Sequence, residues 1–244
     1  MKILITGASS GIGEALSKEY ATKENKLYLL ARREDRLKKL QDELIPLAKS
    51  VHIIVCDVAN FEYLQQKMRE LEDVDMVILN AGISLGHSLE ITPFMEFKRL
   101  YDVNVLSNHA ILEILLPKFL EKRSGKIVFI SSLASLFSMP SSKVYSSSKR
   151  ALNAYAEGLR YKYEPMGIKV VNILPGFIKS ELTDKNKFYM PFLLDTISGA
   201  KIIKRAIDRD KKFYPFPTRF YTLIVIFKML PSFLKQKVIK LMFR

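Results

Sequence analysis

Lys2-Ile3-Leu4-Ile5-Thr6-Gly7-Ala8-Ser9-Ser10-Gly11-Ile12-Gly13 opens the chain one residue in. The first five residues are short, apolar and partly β-branched, the pattern of a strand buried on both faces. Three glycines punctuate the stretch that follows, and residues 13–22 take up helical spacing. A strand that turns through glycines into a helix gathers backbone amides and the positive end of the helix at one point. That is a seat for a phosphate anion. Glycines alone would indicate only a tight turn. Between a strand and a helix, Gly7, Ser9, Ser10, Gly11, Ile12 and Gly13 read as the pyrophosphate turn of a dinucleotide site.

The same order repeats downstream. Short apolar runs at 27–31, 51–56, Met76–Leu79, 126–131 and 169–174 are strand candidates. Amphipathic helix patterns fill 35–47, 63–71, 93–121 and 145–164. Alternating strands and helices predict an α/β fold of Rossmann type, a doubly wound parallel sheet with helices on both faces. Residues 1–210 read as one domain, with a basic, apolar and helical C-terminal extension at 211–244.

Composition narrows the classes. The 244 residues are 48% hydrophobic and 26% charged, which excludes a disordered or fibrous chain. One cysteine excludes an internal disulfide framework. Scattered His52, His87 and His109 beside it argue against a structural zinc site, and no metal is expected. The chain begins directly on strand-like sequence, so no signal peptide is expected. No run of ~20 apolar residues is present to make a spanning helix.

The second strand decides the cofactor. An NAD site offers an acid at that strand tip, for the ribose 2′-hydroxyl. Here the sequence is Leu30-Ala31-Arg32-Arg33. A guanidinium suits a 2′-phosphate through forked, charge-assisted bonds. Arg32 and Arg33 as plain solvated charges would sit unfavourably at a helix start. NADP(H) is therefore the expected cofactor.

Tyr145 and Lys149 are four residues apart in a helical segment, so they share a face. A neighbouring ammonium favours the phenolate and lowers the phenol's pKa. Ser131-Ser132 ends the fifth strand, thirteen residues before Tyr145, and Asn80-Ala81-Gly82 ends the fourth. Asn104 lies in helical sequence, Asp57-Val58 follows the third strand, and Pro175-Gly176 follows the sixth. Strand ends in such sheets are where ligands bind.

Taken together these motifs resemble the short-chain dehydrogenase/reductase family, single-domain type, over about residues 1–185. The resemblance implies a four-residue site. Tyr145 would be the general acid/base, and Lys149 would tune it and hold the nicotinamide ribose. Ser132 would orient the substrate carbonyl, and Asn104 would hold a water in a proton relay. Asp57 and Val58 would line the adenine pocket, with Asn80, Ala81 and Gly82 on the adenosine side. Pro175, Gly176, Ile178 and Ser180 would border the nicotinamide, Ser180 replacing a threonine common in the family. An arginine at the position of Arg32 goes with NADP preference. Residues 181–198 would form a substrate lid, whose Phe188, Tyr189, Phe192 and Leu193 suggest an apolar substrate; ordinary helix packing explains them equally well. A homodimer through the two long helices is also implied.

The expected reaction is hydride transfer between NADPH and the carbonyl of an apolar or lipid-like substrate, giving an alcohol. A non-catalytic NADP(H)-sensing protein on the same fold is the alternative. Such proteins tend to lack the Tyr–Lys pair, which is present here.

The net charge is +14, and eight lysines and arginines with no acid follow Asp210. Within this tail, 220–230 is apolar with one lysine, Pro231 breaks it, and 232–243 is an amphipathic helix pattern. Three readings stay open for the apolar face: a bilayer surface, a second subunit, or the active-site mouth. Each lysine or arginine close to an anionic leaflet contributes roughly 1 kcal/mol of attraction. Nucleic acid is not expected, because the long apolar run suits lipid or protein burial better. The expected location is cytoplasmic, and under the bilayer reading the tail lies peripheral on the inner face of a membrane.

Overall fold

The structure, a computed structural model, describes residues 1–86, 90–184 and 189–242. Seven strands form one sheet: β1 (Lys2–Thr6), β2 (Lys26–Ala31), β3 (Ser50–Val55), β4 (Met76–Leu79), β5 (Gly125–Ile130), β6 (Ile168–Pro175) and β7 (Phe213–Phe216). Their order is β3-β2-β1-β4-β5-β6-β7, and every pairing is parallel. The chain reverses its winding between β1 and β4. The crevice at that switch point is where this topology places ligands.

Alternation along the strands builds two cores. Ile3, Ile5, Leu27 and Leu29 face α1 (Gly11–Tyr20), α2 (Glu34–Leu44) and α7 (Thr196–Asp208). Leu4, Leu30, Val77 and Phe129 face α3 (Phe61–Glu70), α5 (Ser107–Lys122) and α6 (Lys143–Tyr163). The central strands are apolar on both sides because both sides are covered. Edge strand β3 keeps exposed positions at His52 and Val55.

Three expectations change. Helix limits shift by a few residues, because caps set them: Asn60 accepts the Tyr63 amide and starts α3 there. The helix expected over 93–121 is α4 (Phe94–Tyr101), a π-helical turn (Asp102–Leu106) and α5. The extension expected from residue 211 begins instead with β7, a strand of the sheet. Pro215 within it is tolerated because β7 is an edge strand. The tail beyond is α8 (Thr218–Met229) and α9 (Ser232–Met242). Among the described residues no helix is long and apolar enough to cross a membrane.

Candidate active site

The glycine-rich turn takes its shape from backbone that side chains would obstruct. Gly7 and Gly11 have φ of +67° and +55°. A Cβ on Gly13 would lie 2.2 Å from the Gly7 carbonyl oxygen and 2.6 Å from Asn80 Nδ2. The turn is also tied to β4. The Thr6 hydroxyl accepts the Asn80 and Ala81 amides, each at 3.0 Å, and Asn80 Nδ2 donates to the Thr6 carbonyl at 3.0 Å. Asn80, expected on the adenosine side, thus spends its amide nitrogen clamping the two strand ends together.

One cleft of about 360 Å³ runs along the carboxyl ends of the strands. It is lined by Gly7, Ser9, Ser10, Ile12, Arg32, Arg33, Asp57, Val58, Asn80, Ala81 and Gly82 at one end, and by Ser132, Tyr145, Lys149, Pro175, Gly176, Ile178 and Ser180 at the other. Of the expected site residues, Gly11, Gly13 and Asn104 do not line it. The glycines act through the shape of the turn, and Asn104 sits behind the wall.

The two arginines diverge. Arg33 donates from Nη2 to Ser10 Oγ at 2.7 Å and from Nε to Ser9 Oγ at 3.3 Å, so it lies over the glycine turn. Its Nη1 pairs with Glu181 at 2.8 Å, and Arg36 pairs with the other oxygen of the same carboxylate. Arg33 and Arg36 hold the Glu181 carboxyl below the usual range. Arg32 lies 3.7 Å from Asp57, which also accepts Arg99 Nη2 at 2.6 Å and the Ala59 amide at 3.0 Å. Partial burial works to raise the Asp57 carboxyl. The Ala59 amide and the two guanidiniums outweigh it, so the group stays ionised. Glu181, Arg36 and Arg99 were not among the expected residues. They come from two helices and the start of the lid, and no local motif connects them.

At the other end, Ser132 caps a short 3₁₀ turn by accepting the Ala134 amide at 3.1 Å, and its hydroxyl lies beside the Tyr145 phenol in the cleft wall. Lys149 Nζ donates to the Ile130 carbonyl at 2.9 Å and lies 5.8 Å from the centre of the Tyr145 ring. Tyr145 keeps some cleft-facing surface, but its phenol is closely surrounded by protein. This burial pushes the phenol up to about 12, and the neighbouring Ser132 hydroxyl only partly opposes it. Burial likewise pulls Lys149 down to about 8. The expected lowering of the phenol by Lys149 is not seen, because Nζ is directed at a backbone carbonyl and desolvation dominates. Tyr145 is therefore a protonated donor across the neutral range.

Asn104 is fully buried in the π-helical turn. Its Oδ1 accepts the Ile83 amide at 2.8 Å, and Nδ2 donates to the Ile83 carbonyl at 3.0 Å and to Ser148 Oγ at 3.1 Å. The side chain is consumed in fixing the strand-end loop to α6. Its main-chain carbonyl accepts Asn108 Nδ2 at 2.7 Å. A water-holding role for Asn104 would have to share that carbonyl. A Cβ on Gly82 would stand 3.5 Å from both Asn104 Oδ1 and Lys149 Nζ, in ordinary contact with each, so Gly82 lies between these two side chains. Ser147 bonds Tyr101 at 2.9 Å, and Ser148 donates to the Tyr145 carbonyl at 2.8 Å. These serines join α6 to α4 and to the π-helical turn.

Past Pro175-Gly176, Thr183 is a further hydroxyl in the cleft wall. It accepts the Ser180 amide at 2.8 Å and donates to the Ile178 carbonyl at 3.0 Å, closing the loop that presents Ser180. Within the lid expected at 181–198, α7 already starts at Thr196, capped by Asp195 through the Ser198 amide at 2.8 Å. Leu194 bridges to Ile178. Phe192 stands 6.0 Å from Phe220 of α8, and Tyr189 is exposed. Phe188 and His87 lie outside the described residues.

The model of the short chain dehydrogenase family matches residues 1–188. An uncharacterized oxidoreductase of Myxococcus xanthus is 32% identical over 233 residues, 94% of this chain and 92% of that one. An 11-beta-hydroxysteroid dehydrogenase-like protein of Arabidopsis thaliana is 35% identical over 241 residues, covering 94% and 78%. A solved short-chain dehydrogenase of Sphingobium yanoikuyae, in complex with NADPH, superposes with a TM-score of 0.82 over 95% of this chain and 96% of that one, at 23% identity. The chain belongs to the short-chain dehydrogenase family and is an oxidoreductase of that family. Its residues fit the pyridine dinucleotide such enzymes use. The turn is a cradle that a Cβ at position 7 or 13 would fill, and the cleft continues from it to Tyr145.

Proposed function

We propose that this protein is an NADPH-dependent reductase that converts the carbonyl of an apolar substrate to an alcohol. The observation that carries the reading is that the Tyr145 phenol, the Ser132 hydroxyl and Lys149 line the same cleft as the glycine turn. When bound, the nicotinamide supplies the hydride. The chain's own residues supply the rest. Ser132 and Tyr145 are the hydroxyl donors for a substrate carbonyl, and Tyr145 gives its proton to the oxygen as negative charge develops there. Lys149 lines the ribose side of the site, with its Nζ held on the Ile130 carbonyl. The amide end of α1 and the glycine turn receive the pyrophosphate. Arg33, with Arg36 beside it, offers positive charge to a 2′-phosphate, and Arg32 flanks the adenine side next to Asp57. Phe177 and Phe192 each pack against Phe220 beside the catalytic end, and this apolar wall favours an apolar substrate.

The test is oxidation of NADPH, compared with NADH, against carbonyls graded from small diketones to long-chain keto-lipids. The expected outcome is turnover with NADPH preferred, the preference shrinking in Arg33→Ala. Equal use of NADH, or no change of preference in that variant, would remove the cofactor assignment. Absence of turnover with either would remove the reductase reading.

A further inference from the structure

The two C-terminal helices differ in what they touch. One face of α8 is fixed to the body: Ile224 is buried with Leu133 and Leu174, and Phe220 and Tyr221 pack against them. Phe227 packs edge-on against Phe137 at 4.6 Å. The opposite face carries Leu223, Ile226 and Met229, 54%, 55% and 80% exposed. No described residue of α9 belongs to any of the three buried clusters. Its Phe233 and Leu241 are 69% and 62% exposed. Arg219, Lys228, Lys237 and Lys240 stand exposed among these residues, and the chain has no acid after Asp210.

Apolar side chains left in water at helical spacing, interleaved with cations only, fit an anionic amphiphile. A second copy fits worse, since a symmetric contact would bring two faces of the same positive charge together. Nucleic acid would match the cations and leave the leucines and methionine uncovered. A helix of twelve residues is about 18 Å long, too short to cross a hydrocarbon core of about 30 Å. It is long enough to lie along a surface.

We infer that α8 and α9 dock on the surface of an anionic lipid bilayer, with their apolar residues in the headgroup region and their lysines against the lipid phosphates. The body-facing side of α8 borders the catalytic end. Phe220 of α8 stacks with Phe177 at 5.7 Å, two residues past Pro175 in the cleft wall, and Leu133 beneath α8 adjoins Ser132. Docking of α8 therefore holds the catalytic end close to the bilayer, where an apolar carbonyl compound is concentrated. That consequence for turnover rests on the reductase reading. The docking itself does not, because it is read without turnover.

The experiment is co-sedimentation of the full chain with vesicles of equimolar phosphatidylglycerol and phosphatidylcholine, against phosphatidylcholine alone. It is repeated with I226D/F233D and with K228E/K237E. All these positions are exposed, and circular dichroism with a thermal melt checks that each variant folds. Binding to the anionic vesicles is expected, weaker by about tenfold or more on neutral lipid and in both variants. A chain that stays in solution with anionic vesicles overturns the docking, and so does undiminished binding by I226D/F233D. Sedimentation as a dimer that I226D/F233D dissociates, without vesicle binding, assigns the face to a second copy and also overturns it. If docking holds, the two variants keep their rate on a water-soluble carbonyl and lose rate only on one dissolved in vesicles. Loss of both rates refutes the loading route and leaves the docking standing.

Discussion

Glu181 occupies the guanidiniums that a 2′-phosphate would need. It takes Arg33 through one carboxylate oxygen and Arg36 through the other, at the start of the segment beside the catalytic end. A phosphate arriving at Arg33 must compete with that carboxylate, whereas a 2′-hydroxyl need not. Glu181→Gln removes the competing charge and keeps the shape. All three side chains are between a third and a half exposed, so solvent screens both pairs, and each is worth a factor of about two in affinity. Together they predict that Glu181→Gln binds 2′,5′-ADP and NADP⁺ about three- to fivefold more tightly than the wild type. Binding of 5′-AMP and NAD⁺ should not change. Titration calorimetry at low ionic strength measures both series, and the gain should shrink in high salt as the charges are screened. Equal shifts for the ligands with and without the phosphate would refute the competition. Weaker binding of 2′,5′-ADP by the variant would mean that Glu181 orients the arginines for the phosphate.

Three further perturbations test the supporting geometry. Lys149 is held at about 8 by burial, against an ordinary 10.5, so between those values the unfolded chain binds the proton that the folded chain has released. Wild-type stability should therefore rise with pH across that window. Lys149→Met should abolish the rise and gain up to about 3 kcal/mol at pH 7, less what the Ile130 carbonyl loses with its donor, as read by urea unfolding. Gly13→Ala forces a Cβ against the Gly7 carbonyl, so it should destabilise the fold by about 1–3 kcal/mol and weaken dinucleotide binding at least about tenfold. Gly158→Ala, on α6 with nothing within 4 Å of its Cβ, should be neutral or stabilising by up to about 1 kcal/mol.

The parts of the fold and site that sequence reveals are those written in local pattern. The strand–turn–helix at Thr6–Gly13 could be read because each glycine answers to a backbone need a few residues away. Tyr145 and Lys149 could be paired because helical periodicity alone puts them on one face. β7 was obscured by Pro215 and by its aromatic, lysine-flanked surroundings. Only its place at the sheet edge makes that proline acceptable, and an edge is a property of the assembled sheet. The π-helical turn was hidden because one extra residue in a helix leaves the apolar pattern almost intact. The charge network of Glu181 with Arg33 and Arg36, and of Asp57 with Arg99, joins residues far apart in sequence. The raised phenol of Tyr145 depends on burial, which the Tyr–Lys spacing does not convey.

The central claim is that this cleft passes a hydride to a carbonyl while Tyr145 supplies the proton. It is tested most directly with NADPH deuterated on the transferring face of the nicotinamide, an apolar ketone, and mass spectrometry of the product. Wild-type protein should yield an alcohol carrying one deuterium on carbon. Tyr145→Phe should bind NADPH as before and yield almost none. Unlabelled alcohol from the wild type, or labelled alcohol from Tyr145→Phe at an undiminished rate, would contradict the account.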